Sequence, residues 1–337
     1  MKVLAPGKLI LSGEHAVVYG KPALAMAVNR YSVAHILAQN SPHISLNFSD
    51  LSYEQSITYE ALDTLKNTIK DKYLSFKQGH FNIREVLTKP FELAQFALGL
   101  CLEMLNIKLS QGVQIQLNST IPIGCGMGSS AATILSIIHA MANHARVNIP
   151  SKTIYELGLQ AENMQHGTSS GLDLHVSLHG GCCYVKDQII SVKAMPTMPI
   201  YLVNTGTPQT STGECVTKVA HYFKQTTIGD DFADVTETMV KALDKDSYIG
   251  FKNAITANHD LLTKIGVVPL RVQRFIEKVK MLGGAAKICG AGAVSGDAAG
   301  IVMIVIEDEF MLTTLCQKYG YEILSVSGEA RGVHVNV

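Results

Sequence analysis

The stretch "GVQIQLNS", residues 112–119, alternates Val113, Ile115 and Leu117 with polar residues, the period of a strand with one buried face. It runs at once into "IPIGCGMG", where Gly124, Gly126 and Gly128 alternate with other residues. Then comes "SSAATILSIIHAMANHAR", apolar on nearly every face, as a helix packed on several sides must be. Strand, glycine turn and buried helix in that order require a sheet with a helix lying close against it. The same order is also a device for holding anions. Unblocked N–H groups and the positive end of the helix dipole meet phosphate, and glycines let the main chain approach. Tight packing of helix on sheet would ask for the same small residues, and from this segment alone both roles stay open. The turn is not a Walker A loop, since nothing reads G-x-x-x-x-G-K-[ST]. Nor is it a dinucleotide fingerprint, because Ala131 stands where the last glycine of G-x-G-x-x-G would fall. Ser129 and Ser130 can cap free N–H groups, and one hydroxyl can also reach a metal ion.

Around this unit the periodicity predicts strand, loop and strand over residues 2–12. Amphipathic helices follow at 59–76 and 90–105, joined by the polar segment "KQGHFNIREVLTK", either a loop over a site or a plain connection. Pro150 and Ser151 open another helix, with Ile154, Leu157, Ala161 and Met164 on one side and Glu162 near its end. Two prolines in "AMPTMPI", residues 194–200, mark a boundary, after which the strand "IYLVNTG" begins. Helices are expected at 213–224, 233–246 and about 268–281. The run "AAKICGAGAVSGDAAGIVMIVIE" reads as strand, glycine-rich turn and strand. No internal repeat or low-complexity tract interrupts the chain.

With 337 residues, two domains are expected. Twenty-eight Lys+Arg balance twenty-eight Asp+Glu, so no net field draws the chain to nucleic acid or an anionic membrane. Seven cysteines without paired spacing argue for reduced thiols. The opening "MKVLAPGKLILSGEH" fails as a signal peptide, and no apolar run reaches the roughly 20 residues of a bilayer span, so a cytoplasmic location is expected. His175 and His179 with Cys182 and Cys183 make a poor zinc site, since adjacent cysteines seldom share one ion. His139 and His144, five apart, do not share a helix face, and no Gly-x-Ser-x-Gly elbow supports a serine hydrolase.

Three segments, in order, resemble the motifs of the GHMP kinase superfamily, closest to its mevalonate kinases. "PIGCGMGSSAA", from Pro122 to Ala132, is similar to the phosphate-binding motif P-x-x-x-G-L-G-S-S-A-A, with Met127 for leucine. "APGKLILSGEHAVVYGKPALAMAV", residues 5–28, resembles the opening motif, with Lys8, Glu14 and His15. "AENMQHGTSSGLDLHVSLHGG", residues 161–181, is similar to the segment in which an acid precedes an HG-x-x-SG-x-D run, here Glu162 and Asp173. A fourth match is partial. The family usually reads K-x-T-G-A-G-G-G-G-C where this chain has "KICGAGAVSGDAAG", with Cys289 for threonine and the glycines interrupted by Ala293, Val294 and Ser295. Its Gly296-Asp297 pair is similar to phosphomevalonate kinases.

The resemblance implies an α+β, two-domain fold. Residues 1–195 would form an N-terminal β/α, ATP-binding domain with a left-handed-type crossover, and residues 196–337 a ferredoxin-like α/β domain. It implies phosphoryl transfer from ATP to the primary hydroxyl of mevalonate, with Mg²⁺ and commonly a homodimer. Pro122, Gly124, Gly126, Gly128, Ser129, Ser130 and Ala131 would hold the nucleotide. Glu162 and Ser130, or Ser129, would hold the metal. Asp173 would orient the hydroxyl and accept its proton, and Lys8 would stabilise the developing charge. Glu14, His15, Thr205 and Ala291 would shape the acceptor pocket. The Glu162–Asp173 spacing fits a helix end followed by a loop that folds back, which places both carboxylates in one pocket. A phosphomevalonate kinase would need further cations, and another superfamily kinase would act on a different small alcohol. A catalytically silent relative would be expected to lose Lys8, Glu162 or Asp173, and all three are present.

Overall fold

The computed structural model describes residues 1–89, 91–106, 111–187 and 189–336. The first sheet contains β1 (Lys2–Ser12), β2 (Ala23–Gln39), β3 (Ile44–Phe48), β4 (Tyr53–Ile57) and β5 (Gly112–Ser119). The hairpin β6 (Cys182–Lys186) and β7 (Ile189–Lys193) joins it on β2. The second sheet contains β8 (Ile200–Asn204), β9 (Ala285–Ile288), β10 (Ile301–Val305) and β11 (Glu322–Val326), and β12 (His334–Asn336) returns to the first. The helices of the first half are α1 (Tyr59–Lys77), α2 (Glu92–Met104), α3 (Ser129–His144), α4 (Ser151–His166) and α5 (Leu172–His179). Those of the second are α6 (Thr212–Gln225), α7 (Ile228–Asp244), α8 (Tyr248–Lys264), α9 (Leu270–Met281) and α10 (Glu309–Tyr319).

The strand order β12-β1-β2-β5-β3-β4 is antiparallel except between β3 and β5, which are linked through α1 and α2. Register places Ile36 opposite Ile115 on β5 and Leu46 opposite Ile115 across the parallel ladder, so the alternation of residues 112–119 buries one face under α3. The second sheet runs β11-β8-β10-β9, all antiparallel. With one helix after β10 and helices between β8 and β9, this is the βαββαβ arrangement of ferredoxin-like domains.

Several elements differ from the sequence expectation. Residues 2–12 form one strand, not two around a loop, because Pro6 and Gly7 are accommodated by a register shift against β2. A shift is where a residue without an N–H does least harm to a ladder. The stretch Ala23–Val28 carries no strand signal in the sequence. It is buried on both faces, Ala25 and Ala27 clustering with Leu172 and Val176 of α5, and Leu24 and Met26 on the other face, where Tyr184 opposite Leu24 donates to Glu237 of α7, and so it shows no two-residue alternation. The polar segment 77–89 contains a single 3-10 turn, Ile83–Glu85, with Asn82 and Glu85 capping each other reciprocally. Helices α8 and α10 were also not anticipated, and Pro90, where the second predicted helix begins, lies outside the described residues.

Candidate active site

Gly124, Gly126 and Gly128 all adopt left-handed φ values, 70°, 85° and 68°, which L side chains rarely tolerate. Gly128 is the residue before α3, so Ser129 and Ser130 are its first two helical residues and their N–H groups have no helical partner. The turn also meets the second sheet backbone to backbone. A Cβ on Gly126 would lie 2.7 Å from the Cys289 carbonyl, and one on Gly300 would lie 2.9 Å from that of Cys125. The Ile301 N–H donates to the Cys125 carbonyl at 3.3 Å. The packing role and the open helix end are therefore both present in one turn.

Beneath it lies a chain of charge. The Lys8 backbone on β1 donates to the Met127 carbonyl at 2.9 Å. Its ammonium, almost fully buried, donates to the Gly126 carbonyl at 3.3 Å and meets Asp173 Oδ2 at 2.9 Å. Asp173 is the second residue of α5, where the helix dipole favours a carboxylate. Glu162, in the last turn of α4, is 2% exposed and accepts from Ser130 Oγ at 3.3 Å and from Ser169 Oγ at 2.6 Å. Burial, and then the nearby Asp173 carboxylate, push Glu162 up to about 7, with the serines and Lys8 opposing. The link between α4 and α5 folds back on left-handed Gly167 and Gly171, with the Ser169 N–H donating to Asn163 Oδ1 at 2.8 Å. The expected convergence of the two carboxylates is thus a property of this ten-residue excursion. Of the two serines, Ser130 is the one on Glu162.

The acceptor-side residues spread further. Glu14 is 1% exposed and ion-paired with Lys287 of β9, which also donates to the carbonyls of Ile10 and Ile288 at 3.1 and 3.0 Å. His15 has φ 58°. Its Nε2 is 3.0 Å from the Ala291 carbonyl, which can only accept, so Nε2 carries the proton. Burial lowers His15 to about 4, leaving the ring neutral at pH 7. Nδ1 is then a bare acceptor, buried and without a partner among the described residues. Thr205 does not join this group. Its hydroxyl donates to the Gly300 carbonyl at 2.8 Å and accepts from the Ala299 N–H at 3.0 Å, bracing the loop between β9 and β10. Pro122 precedes the turn, and Ala131 is fully buried in α3.

Two cavities flank the turn. One, about 340 Å³, is mainly apolar and lined by Phe48, Leu51, Leu87 and Phe91 beside Ser129 and Ser130. The other, about 380 Å³, lies between Gly124–Gly126, His166, the loop 207–213 and Ala291. Sequence reading had passed over four residues here. His166 is exposed at the edge of this cavity yet within the electrostatic reach of Asp173 and Lys8, its pKa lowered by partial desolvation, and it stands in the "HG" of the matched run. Lys287 opens the "KICGAG" match. Phe91 reads from sequence only as an apolar position of the helix expected at 90–105 and caps α2 in the structure, and Arg84 lies on the segment between helices, whose polar composition is its one signal.

The sequence model of the GHMP kinases N terminal domain matches residues 92–181. The mevalonate kinase of Pyrococcus abyssi is 28% identical over 301 residues, 86% of this chain and 84% of that protein. That of Methanocaldococcus jannaschii is 27% identical over 315 residues, 92% and 93%. The crystal structure of the Methanococcus jannaschii mevalonate kinase superposes with a TM-score of 0.80 at 25% identity, covering 97% of this chain and 98% of that one. No helix among the described residues is long and apolar enough to cross a membrane.

Proposed function

We infer that this chain, a GHMP kinase and so a user of ATP, transfers the γ-phosphoryl group to the primary hydroxyl of mevalonate. The observation that carries this reading is the Lys8–Asp173 contact, 2.9 Å, set directly under the glycine turn. The relatives named mevalonate kinase, similar over most of both chains, support the choice of acceptor.

In this reading the nucleotide phosphates lie along Gly124–Ala131, with Pro122 fixing entry to the turn and the purine in the apolar cavity beside Phe91. Phosphoryl transfer depends on position and charge neutralisation more than on covalent chemistry. Asp173 orients the acceptor hydroxyl and takes its proton. Lys8, held between Asp173 and the Gly126 carbonyl, stabilises charge that builds between hydroxyl oxygen and phosphorus. His15, neutral and protonated on Nε2, can accept from an acceptor hydroxyl through Nδ1 but cannot donate to a carboxylate while Ala291 holds its proton. Ala291 and Thr205 fix the loop that faces it, and Glu14 orients the turn on which His15 stands.

The oxygen donors of Glu162, Ser130 and, secondarily, Ser129 fit Mg²⁺, which takes one or two carboxylates and completes its octahedron with water and phosphate. When bound, the ion would neutralise charge on the outer phosphates. We further take residues 1–195 as the nucleotide-binding unit and 196–337 as the second, and the enzyme as a cytoplasmic homodimer. Release of ADP, followed with mevalonate, phosphomevalonate and galactose side by side, tests the acceptor. Turnover of phosphomevalonate or galactose in preference to mevalonate would reject it.

A further inference from the structure

We propose that Arg84 recognises the carboxylate of the acceptor, leaving Glu214 when the acceptor enters; this rests on the acceptor assigned above. Arg84 is in the middle of the one-turn helix Ile83–Glu85, held by its own reciprocal cap and with Ile83 beside Gly167 at the end of α4. Its guanidinium crosses to the first turn of α6, where Nη2 donates to Glu214 Oε2 at 2.5 Å. It also lines the cavity shared by Gly126, His166, Thr210 and Ala291. Among the described residues lining that cavity, it is the only one with a permanent positive charge.

Three features make the Glu214 contact exchangeable. Glu214 is already satisfied without Arg84, accepting from the Ser211 N–H at 2.7 Å and the Ser211 hydroxyl at 3.0 Å. Those bonds, ahead of Arg84, hold its carboxyl below the usual range. Both partners are about half exposed, 57% and 49%, and such pairs are held weakly. Finally, a guanidinium presents two parallel N–H groups that match a carboxylate, whereas Lys8, the other cation by the turn, is engaged with Asp173. The three lysines of the neighbouring wide cleft, Lys21, Lys152 and Lys186, do not line this cavity, and two of them already face carboxylates, Lys21 that of Asp230 at 2.6 Å and Lys152 that of Glu156 at 3.9 Å.

The test compares the full chain with Arg84→Gln, Arg84→Lys and the charge swap Arg84→Glu/Glu214→Arg, each with mevalonate and with its uncharged methyl ester. Loss of one charge-assisted contact should raise KM for mevalonate in Arg84→Gln roughly 10- to 100-fold, with KM for ATP and the melting temperature unchanged. On the ester, wild type and Arg84→Gln should differ less than threefold, and Arg84→Lys should recover part of the loss on the acid. The charge swap should not recover it. Recovery by the swap would make the pair a structural latch, and an equal deficit on acid and ester, or one in KM for ATP, would move Arg84 to the phosphate; each overturns the proposal. A wild type inactive on mevalonate removes the acceptor reading and this inference together. An active wild type with an indistinguishable Arg84→Gln removes the inference alone.

Discussion

Glu162 and Asp173 carry the same functional group in one cleft, and their surroundings separate them. Asp173 has an ammonium at 2.9 Å and the start of α5, while Glu162 is buried against serine hydroxyls with a second carboxylate nearby. Environment of this kind assigns different roles to like groups. Asp173→Asn should keep ATP binding and lower turnover by roughly 10² to 10⁴, as removal of a positioned base does. Turnover within a few-fold of wild type would take Asp173 out of the chemistry. For Glu162 the linkage has a definite sign. Its folded value, about 7, is above the ordinary 4.5, so its contribution to stability is fully present below 4.5 and is lost as pH rises through about 7. Glu162→Gln should therefore be more stable than wild type to chemical denaturation at pH 8 without Mg²⁺, by up to about 3 kcal/mol, and the two should converge toward pH 4.5. The same variant should need more Mg²⁺ for half-maximal rate. A variant no more stable at pH 8 would mean that Glu162 is not held at a cost.

At the scale of elements, the glycine turn does two jobs that constrain each other. Its N–H groups can face a ligand because its carbonyls and α-carbons are pressed against the 289–300 loop. Gly126→Ala would add a methyl 2.7 Å from the Cys289 carbonyl at φ 85°, a clash and a strained backbone together. The cost should be roughly 1–3 kcal/mol in chemical denaturation, with a higher KM for ATP. Gly20→Ala, at φ 75° with open space around it, should show only the backbone part. What could be read from sequence follows the same division. The strand 112–119, the turn and α3 were legible because each has a local signature, and so was the return of Asp173 toward Glu162. The Cys289 and Gly290 contact was not, since it joins segments more than 160 residues apart. The irregular loop 290–297 looked like a lost glycine run. Its essential glycines, 290 and 292, with Gly300 just beyond it, are those where backbone approaches backbone, and Ala293 and Val294 instead donate to the Val267 carbonyl and the Thr210 hydroxyl. Thr205 read as a pocket residue, but its hydroxyl is spent inside that loop.

Over the whole molecule, the site exists only where the two sheets are held in register. Beside the apolar cluster that runs through both, buried polar groups bridge them. Ser12 at the end of β1 is 2.7 Å from Thr236 of α7 and accepts from Asn258 of α8 at 2.8 Å, and Glu14 pairs with Lys287 of β9. From β1 to the Glu14–Lys287 pair the path is six residues past Lys8, and from Lys287 it is four to Ala291, on which His15 closes. A buried pair contributes little net stability relative to apolar residues of similar size, but removing one partner strands a charge. Lys287→Met should therefore destabilise the fold by about 3–5 kcal/mol, because Glu14 would be left 1% exposed without its ion-pair partner, with the Asn258 amide only at 3.5 Å. Lys287→Met/Glu14→Gln should regain most of that in urea denaturation, since the charge is gone. Its catalysis should stay impaired, because the turn bearing His15 loses its anchor on the second sheet. If the double variant is as unstable as the single, packing of the lysine stem rather than charge holds the sheets; if it regains full activity, the bridge does not position His15.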